Sequence, residues 1–235
     1  MMKTPVLIIN LKEYDEVLGE KAIEFAKAAK NLFEKYKDVT ILIAPPPPIF
    51  EKIAKITPCI SQHIDPFEPN SYTGYILPKE IKLLKGAGSL INHSERRIPF
   101  EDIEKNIELC RKYNLVSFVC ARDNEEVKKI AKLNPDFIAI EPPELIGGNV
   151  SVSTARPEII KQAVDDVKGI SPSTMVLCGA GVKTKEDVEK AIQLGARGVL
   201  VASGVVRAED IEGAMEELIK GMLWKLIGKN LREGL

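Results

Sequence analysis

Five polar side chains follow short apolar runs of this sequence, and their types are those of acid–base chemistry. A carboxylate and an imidazole can transfer protons, while a cation and an amide can stabilise oxygens on which negative charge develops. The five have a chemical meaning only if the fold brings them to one place. They are Asn10, Lys12, His93, Glu95 and Glu141.

Each of these residues also has an ordinary structural interpretation when it is considered alone. Lys12 suits a solvated charge, His93 a hydrogen-bonded structural histidine, and Glu141 a partner for an arginine. Two glycine-containing stretches, 178–181 and 201–204, fit the tight turns that link a strand to a helix. The functional interpretation therefore depends on whether the elements of the fold position all of them together.

Eight short apolar runs divide the chain, and each precedes a segment with helical periodicity. Because the runs are continuously apolar rather than alternating, they are typical of strands buried on both faces of a parallel sheet. The runs are residues 6–11, 40–44, 59–64, 88–91, 116–120, 137–140, 174–178 and 198–202.

The segments between the runs carry the spacing and the end signals of helices. Thr184 followed by Asp187 resembles a capping box, and Gly195 stands where that helix should end. Apolar residues at three- and four-residue steps predict three buried helix faces. These are Leu18, Ala22, Phe25, Ala29, Leu32 and Tyr36; Ile103, Ile107 and Cys110; and Ile211, Met215, Leu218, Met222 and Leu226.

Eight strands that alternate with helices in 235 residues predict an α/β fold, a (β/α)8 TIM barrel with an outer ring of helices. No linker divides the chain, so we expect a single domain over residues 1–235. A doubly wound open sheet is the alternative, since local pattern does not show closure. In a parallel barrel the carboxyl ends of the strands form one mouth, where the five polar residues would meet.

Composition narrows the classes of partner and location. The 33 basic and 34 acidic residues are balanced, which argues against a nucleic-acid partner. No apolar stretch reaches the length of a membrane span and no signal peptide opens the chain, so we expect a cytoplasmic protein without a membrane partner. With only His63 and His93 as histidines, a zinc site has few ligands, so we expect no metal.

Four segments of the sequence, in order along the barrel, resemble the triosephosphate isomerase family. The segments are Asn10-Leu-Lys12, Asn92-His-Ser-Glu-Arg-Arg97, Ala139-Ile-Glu-Pro-Pro-Glu-Leu-Ile-Gly147 and Gly179-Ala-Gly181. The short chain and the amino-acid sequence of the third segment are similar to those of the archaeal branch of this family. The resemblance implies a cofactor-free enzyme of glycolysis and gluconeogenesis that interconverts dihydroxyacetone phosphate and D-glyceraldehyde 3-phosphate.

The resemblance also implies catalytic roles. Glu141 would be the carboxylate base that moves a proton between adjacent carbons through an enediolate. His93 would donate to the substrate oxygens as a neutral imidazole, held so by amides at a helix terminus directly after it. Lys12 and Asn10 would bind the substrate oxygens. Glu95 would fix Lys12, although an acid at a helix start explains Glu95 equally well.

The resemblance implies a phosphate site built mainly from backbone N–H groups, and here the sequence departs from the common family pattern. Gly181 stands where many members carry serine, and Ala202-Ser203 where many carry two glycines. Residues 142–153 would form the lid over bound substrate, with Gly147-Gly-Asn149 in place of the usual Gly-Thr-Gly tip. The expected substrate and phosphate ligands are Asn10, Lys12, Ile146, Gly147, Gly181, Ala202 and Ser203.

The resemblance finally implies self-association, as a homotetramer and at least a dimer. Thr73-Gly74 at the tip of loop 65–75 would insert beside a neighbour's Asn10, Lys12 and Glu95. We interpret His63 as structural or facing another subunit. A wide apolar spread on the last helix supports further contact, or else Trp224 covers the barrel bottom; the spread comprises Met222, Leu223, Trp224, Leu226 and Ile227.

Two other functions remain alternatives from the sequence. A different phosphate-binding barrel explains the glycine-containing turns but not the joint presence of the polar set. A non-catalytic barrel that binds triose phosphate or a protein would require loss of a catalytic residue, and none is lost. Glu144 is the nearest competitor of Glu141 for the role of base.

Overall fold

The framework of the chain is a parallel sheet of eight strands, seen in a computed structural model that describes residues 2–143 and 151–224. The strand order is β2-β1-β8-β7-β6-β5-β4-β3. The strands are β1 (Val6–Asn10), β2 (Thr40–Ala44), β3 (Ile60–Ser61), β4 (Gly88–Ile91), β5 (Val116–Ala121), β6 (Phe137–Ile140), β7 (Met175–Cys178) and β8 (Gly198–Val201).

The two ends of this order, β2 and β3, meet through a parallel bridge between Ile43 and Cys59. Because β1 also pairs with both β2 and β8, the sheet is a nearly closed barrel. The prediction of a (β/α)8 TIM barrel is thus confirmed, and the alternative of an open doubly wound sheet is wrong.

The strands are buried on both faces, which explains their unbroken apolar sequence. Along β1, Val6 and Ile8 join a cluster made of residues of the strands, whereas Leu7 and Ile9 join a second cluster that contains the helices. The first cluster fills the barrel interior, where the rings of Phe118 and Phe137 stack with centroids 4.9 Å apart. The second lies between barrel and helices.

Helices follow the strands around the barrel, and their buried faces agree with most of the predicted stripes. Ala22, Phe25, Ala29 and Leu32 are buried on α1, but Leu18 precedes this helix and is 45% exposed, so its assignment to the stripe is wrong. The helices are α1 (Ala22–Lys35), α2 (Phe50–Ala54), α3 (Pro78–Leu83), α4 (Phe100–Lys112), α5 (Asn124–Ala131), α6 (Val152–Ala155), α7 (Pro157–Ile170), α8 (Lys185–Gln193), α9 (Ser203–Val206) and α10 (Ile211–Met222).

The signals at the ends of α8 work as the sequence predicts. Thr184 accepts a hydrogen bond from the Asp187 amide, and the Asp187 carboxylate accepts one from the Thr184 amide, which completes a capping box. After the helix, Gly195 has φ +103°, a backbone conformation that favours glycine. These two ends fix the length of the connection from β7 to β8.

β3 is much shorter than the predicted run 59–64, and a side chain replaces part of the missing pairing. The strand keeps only Ile60–Ser61. Directly after it, the Gln62 side-chain amide donates to the carbonyl oxygens of Lys12 and Ala44, each over 3.1 Å. Gln62 therefore joins the carboxyl ends of β1 and β2 at the seam between β2 and β3.

The last described helix bears out its predicted stripe as far as the structure reaches. Met215, Leu218 and Met222 are buried, and Leu223 is 9% exposed. Leu226 and Ile227 lie outside the described residues. The four cysteines are buried free thiols.

Candidate active site

The predicted site residues gather at the mouth formed by the carboxyl ends of the strands. Asn10 is the last residue of β1, and Glu141 follows β6 directly. Both line one cavity together with side chains and turns from β4, β7 and β8, as barrel geometry requires. The cavity is lined by Asn10, Lys12, Tyr14, His93, Glu141, Gly179, Ala180, Gly181, Val182, Lys183, Leu200, Val201, Ala202 and Ser203.

Glu141 is a buried carboxylic acid, and one of its two oxygens lies close to the imidazole of His93. Its residue is 2% exposed, its Oε1 lies 3.4 Å from Nε2 of His93, and its Oε2 has no hydrogen-bond partner among the described residues. Burial raises the pKa of Glu141, and His93 and the Cys120 thiol act in the opposite direction. A carboxylate that lines a cavity, has a raised pKa and keeps one oxygen unpartnered is suited to accept a proton.

Two backbone features hold Glu141 in this position. Its amide continues the sheet by donating to the Ala121 carbonyl oxygen over 2.7 Å. On the other side lies Gly179, where an added Cβ would come within 2.7 Å of Cγ of Glu141. A side chain at residue 179 would therefore push the carboxylate aside, so the position of Glu141 requires a glycine here.

His93 carries a hydrogen-bond pattern that defines its tautomer. Its Nδ1 accepts from the Glu95 amide over 3.3 Å, so a neutral ring carries its proton on Nε2. The Asn10 side-chain amide nitrogen lies 3.5 Å from Nε2, while Oδ1 of Asn10 accepts from the Lys12 amide. Two donors this close cannot bond to each other, and both can donate to one acceptor between them.

The donor to His93 comes from a turn rather than from a helix terminus. Residues 94–95 form a turn and α4 begins only at Phe100. The predicted helix-terminus amides, and the interpretation of Glu95 as a helix-start acid, are therefore wrong in detail. The Glu95 amide in this turn nevertheless donates a hydrogen bond to the imidazole of His93.

Lys12 is held by its backbone and by Glu95. Its φ is +52°, in the left-handed region, and its amide bonds to Asn10 over 3.1 Å. Its Nζ lies 2.7 Å from Oε1 of Glu95, so the predicted Lys12–Glu95 pair is confirmed. The Lys12 side chain is 16% exposed, and a fixed ammonium group thus faces the cavity beside the two donors.

The glycine-containing turns after β7 and β8 line the other side of the same cavity. Gly181 has φ +69°, and Ser203 is the first residue of α9. Amides at such turns and helix starts lack partners within the helix and can bind anions. Four predicted residues, Ile146, Gly147, Gly148 and Asn149, lie outside the described residues, as does Glu144.

Several residues of the site escaped the sequence analysis. Tyr14 and Lys183 line the cavity, and the guanidinium carbon of Arg207 lies 4.9 Å from the centroid of the Tyr14 ring. Tyr14 follows Lys12 by two residues, and Lys183 follows the turn at Gly181. Their positions shortly after a strand end were the only feature of the sequence that could have identified them as site residues.

A partly exposed hydrogen-bond network behind the mouth was also missed. Asn92 has φ +61° and its side chain bonds to the Cys120 carbonyl over 3.0 Å. The Arg97 guanidinium bonds to the Asn92 carbonyl over 3.1 Å and to the Glu126 carboxylate over 3.2 Å. This network fixes the turn that carries His93 and Glu95.

His63 lies in an adjoining hollow outside the acid–base cluster. It is 5% exposed, and its Nε2 lies 3.1 Å from Oδ1 of Asp65. Burial lowers its pKa. The hollow shares Lys12 and His93 with the first cavity, and it is also lined by Gln62, Ile76 and Arg96.

Fold and geometry together define an enzyme class, an acid–base site at the carboxyl end of a (β/α)8 barrel. The family model of triosephosphate isomerase matches residues 5–222. The chain is 42% identical over 223 residues to the triosephosphate isomerase of Methanothermus fervidus, covering 94% of this chain and 100% of that protein. The chain belongs to the triosephosphate isomerase family.

Other archaeal relatives agree. The chain is 44% identical to the triosephosphate isomerase of Methanocaldococcus jannaschii, over 92% of this chain and 99% of that protein. It is 43% identical to that of Archaeoglobus fulgidus, over 93% and 99%. The predicted resemblance to the archaeal branch is confirmed.

Within residues 2–143 and 151–224, no helix has both the length and the apolar character needed to cross a membrane. In those same ranges, no three His, Cys, Asp or Glu side chains are grouped so that they could hold a metal ion.

Proposed function

We propose that this chain interconverts dihydroxyacetone phosphate and D-glyceraldehyde 3-phosphate, with Glu141 as the base. Membership of the triosephosphate isomerase family supports the reaction. The observation that carries the role of Glu141 is its buried carboxylate, with Oε2 unpartnered among the described residues and Oε1 at 3.4 Å from His93. The reaction serves glycolysis and gluconeogenesis.

The proton transfer needs a base and two oxygens that can take charge in turn. Glu141 removes a proton from the hydroxyl-bearing carbon, and the carbonyl oxygen of the neighbouring carbon gains negative charge. The hydroxyl proton then passes from the first oxygen to the second, and Glu141 returns its proton to the neighbouring carbon while a carbonyl forms on the first. His93 donates from Nε2 to the oxygens of this enediolate, and Asn10 donates beside it. The 3.5 Å separation of these two donor nitrogens supports one shared acceptor.

Lys12 supplies fixed positive charge close to the substrate oxygens and its phosphate. Its pairing with Glu95 over 2.7 Å supports a positioned ammonium group rather than a mobile one. Because such a group is already oriented, little reorganisation accompanies the change in substrate charge. Glu95 is a positioning residue for Lys12.

The phosphate group is bound mainly by backbone N–H groups of Gly181, Ala202 and Ser203. These three residues line the same cavity as His93 and Glu141, which supports this assignment. The lid over 142–153, with Ile146 and Gly147 as further ligands, completes the proposal from sequence resemblance. A closed lid excludes water and so limits loss of phosphate from the enediolate.

We propose further that the 235-residue chain is one domain that works in the cytoplasm as a homotetramer, or at least as a dimer. Loop 65–75 supports the assembly because its base is closed by the Asp65 amide on the Ile76 carbonyl over 2.8 Å. Its Tyr72 and Tyr75 are 45% and 46% exposed. Thr73-Gly74 at the tip then reach a neighbour's hollow beside Lys12.

A coupled assay of dihydroxyacetone phosphate isomerisation tests the function, and the Glu141→Gln variant tests the base. We expect a folded variant whose turnover falls by roughly 10²–10⁴-fold, about 3–5 kcal/mol of lost transition-state stabilisation. Glu144→Gln is the matched control and should be far milder. Near-native turnover in Glu141→Gln would remove Glu141 from this role, and an inactive wild-type chain would refute the function.

A further inference from the structure

Asp187 makes more hydrogen bonds than its place in a helix cap requires. It lies in the first turn of α8, and its Oδ2 accepts from the amides of Lys183 and Thr184 over 3.0 and 3.1 Å. Its Oδ1 accepts from the Thr154 hydroxyl over 3.1 Å. The two oxygens of one carboxylate therefore bind two different parts of the chain.

The Thr154 bond is one of several links between α6 and the connection from β7 to α8. The Ser153 hydroxyl donates to the Asp187 carbonyl oxygen over 2.9 Å. The Val152 amide donates to the Ala180 carbonyl oxygen over 3.2 Å. The residues directly after position 150 are thus fastened to the turn after β7 by both backbone and side chains.

That turn carries groups which line the active-site cavity. Gly181 and Lys183 both face the cavity, and Gly181 has φ +69°. Residue 183 donates its amide to Asp187, although it lies outside α8, which begins at Lys185. A capping box satisfies the amides of the helix start and needs no bond to residue 183. This bond instead orients the peptide between Val182 and Lys183, one residue after Gly181.

We propose that Asp187 is a positioning residue for phosphate binding, which fixes the turn at 181–183 and couples it to residues 151–155. The proposal rests on the proposed function, since it concerns how that same site binds its anionic substrate. The carboxylate itself stays outside the cavity lining, so it acts through the peptides it holds. Without it, the turn would sample conformations in which its amides no longer converge on one anion.

A titration with inorganic phosphate, followed by ³¹P NMR line broadening, tests this without any turnover. We expect Asp187→Ala to weaken phosphate binding about tenfold, because charge-assisted bonds to the turn are lost. We also expect about tenfold higher KM for the triose phosphate with kcat within about threefold, since Glu141 and His93 keep their own supports.

Asp210→Ala is the matched control. Asp210 caps α10 by accepting from the Gly213 amide over 2.9 Å and does not line the cavity. Both variants should lower Tm by a few degrees through loss of a cap. Asp187 would be a structural cap only, and the proposal overturned, if both variants left phosphate affinity and KM unchanged.

Thr154→Val decides the question if Asp187→Ala does not fold. It removes one hydroxyl from the exposed surface and leaves the capping box intact. We expect phosphate affinity to fall about threefold, in line with one lost hydrogen bond to a carboxylate, and unchanged affinity would overturn the coupling. An inactive wild-type chain would refute the proposed function, whereas the phosphate titration would still decide on Asp187.

Discussion

The burial of the Glu141 carboxylate, which suits it to acid–base chemistry, lowers the stability of the fold. The carboxylate is buried, and its Oε2 has no hydrogen-bond partner in the described part of the chain. Water would solvate the same group in the unfolded chain, so folding with an ionised Glu141 costs free energy. The raised pKa of Glu141 expresses this cost, with burial as its main cause.

We therefore expect Glu141→Gln to be more stable than the wild type at pH 8, by about 1 kcal/mol. The folded pKa lies above the ordinary value of 4.5, so the cost is present above the folded pKa and disappears below 4.5, where both states are protonated. Urea denaturation at pH 8 and at pH 4 measures the difference. The same stability difference between variant and wild type at both pH values would contradict the argument.

The sequence could predict the site where residue type and strand end coincide. Asn10, His93 and Glu141 stand at or just after strand ends, where barrel geometry makes them meet. Lys183 and Cys120 could not be found in this way. Lys183 reaches the cavity through a turn whose shape depends on Gly181 and Asp187, and Cys120 lies inside a strand as an ordinary buried thiol.

At the scale of elements, strands were more predictable than the segments that follow them. The run 137–140 is observed as predicted because continuous burial selects apolar residues throughout. The run 59–64 shrank to Ile60–Ser61 because Gln62 turns its side chain to neighbouring carbonyls. Leu18 has the right spacing for the α1 stripe but lies before Ala22, where short 3-10 turns end its period.

An ion cluster between α1 and α10 gives a second prediction with a pH dependence. Lys35 Nζ and the Tyr36 hydroxyl lie 2.5 and 2.8 Å from Oε1 of Glu216. The hydrogen bonds from Lys35 and Tyr36 lower the pKa of Glu216 to about 2. Because this pKa is depressed, the contribution to stability is complete above the ordinary value of 4.5 and is lost as pH falls toward 2.

Glu216→Gln should therefore lower the free energy of unfolding at pH 7 by about 1 kcal/mol or less, and the loss should shrink below pH 4.5. Glu217→Gln is the matched control, since Glu217 pairs with Lys220 on the surface and is 55% exposed. Denaturation curves at pH 7 and pH 3.5 measure both. Equal losses in the two variants would show that the contact with α1 adds nothing.

At the scale of the whole molecule, loop 65–75 is a preformed projection. The ring of Phe67 lies 4.7 Å from that of Tyr72 and 4.9 Å from that of Tyr75, between centroids. Glu68 adds hydrogen bonds to Lys112 and Tyr113 that fasten the loop to α4. A rigid projection of this kind loses little entropy when a second copy receives it.

Thr73→Arg should weaken assembly and lower activity together, because in the proposed assembly a charge would enter the neighbour's hollow beside Lys12. Light scattering of the wild type should give a tetramer, with a dimer as the minimum, and the variant should shift to smaller species as it is diluted. Ser173→Arg, on the opposite end of the barrel, is the control. A fully active monomer at high dilution would refute the contribution of the neighbour's loop.

The seam between β2 and β3 affects where the strand pairing of the barrel opens transiently. Most neighbouring strands share longer ladders, whereas this join, like that between β7 and β8, has a single pair, to which the amide of Gln62 is added. Local opening is cheapest where few bonds must break, so transient fluctuations of the wall should begin at these two joins while the longer ladders stay paired. Since Gln62 also bonds to the Lys12 carbonyl, each opening at β2 and β3 would release the backbone of the residue that carries the ammonium group of the site.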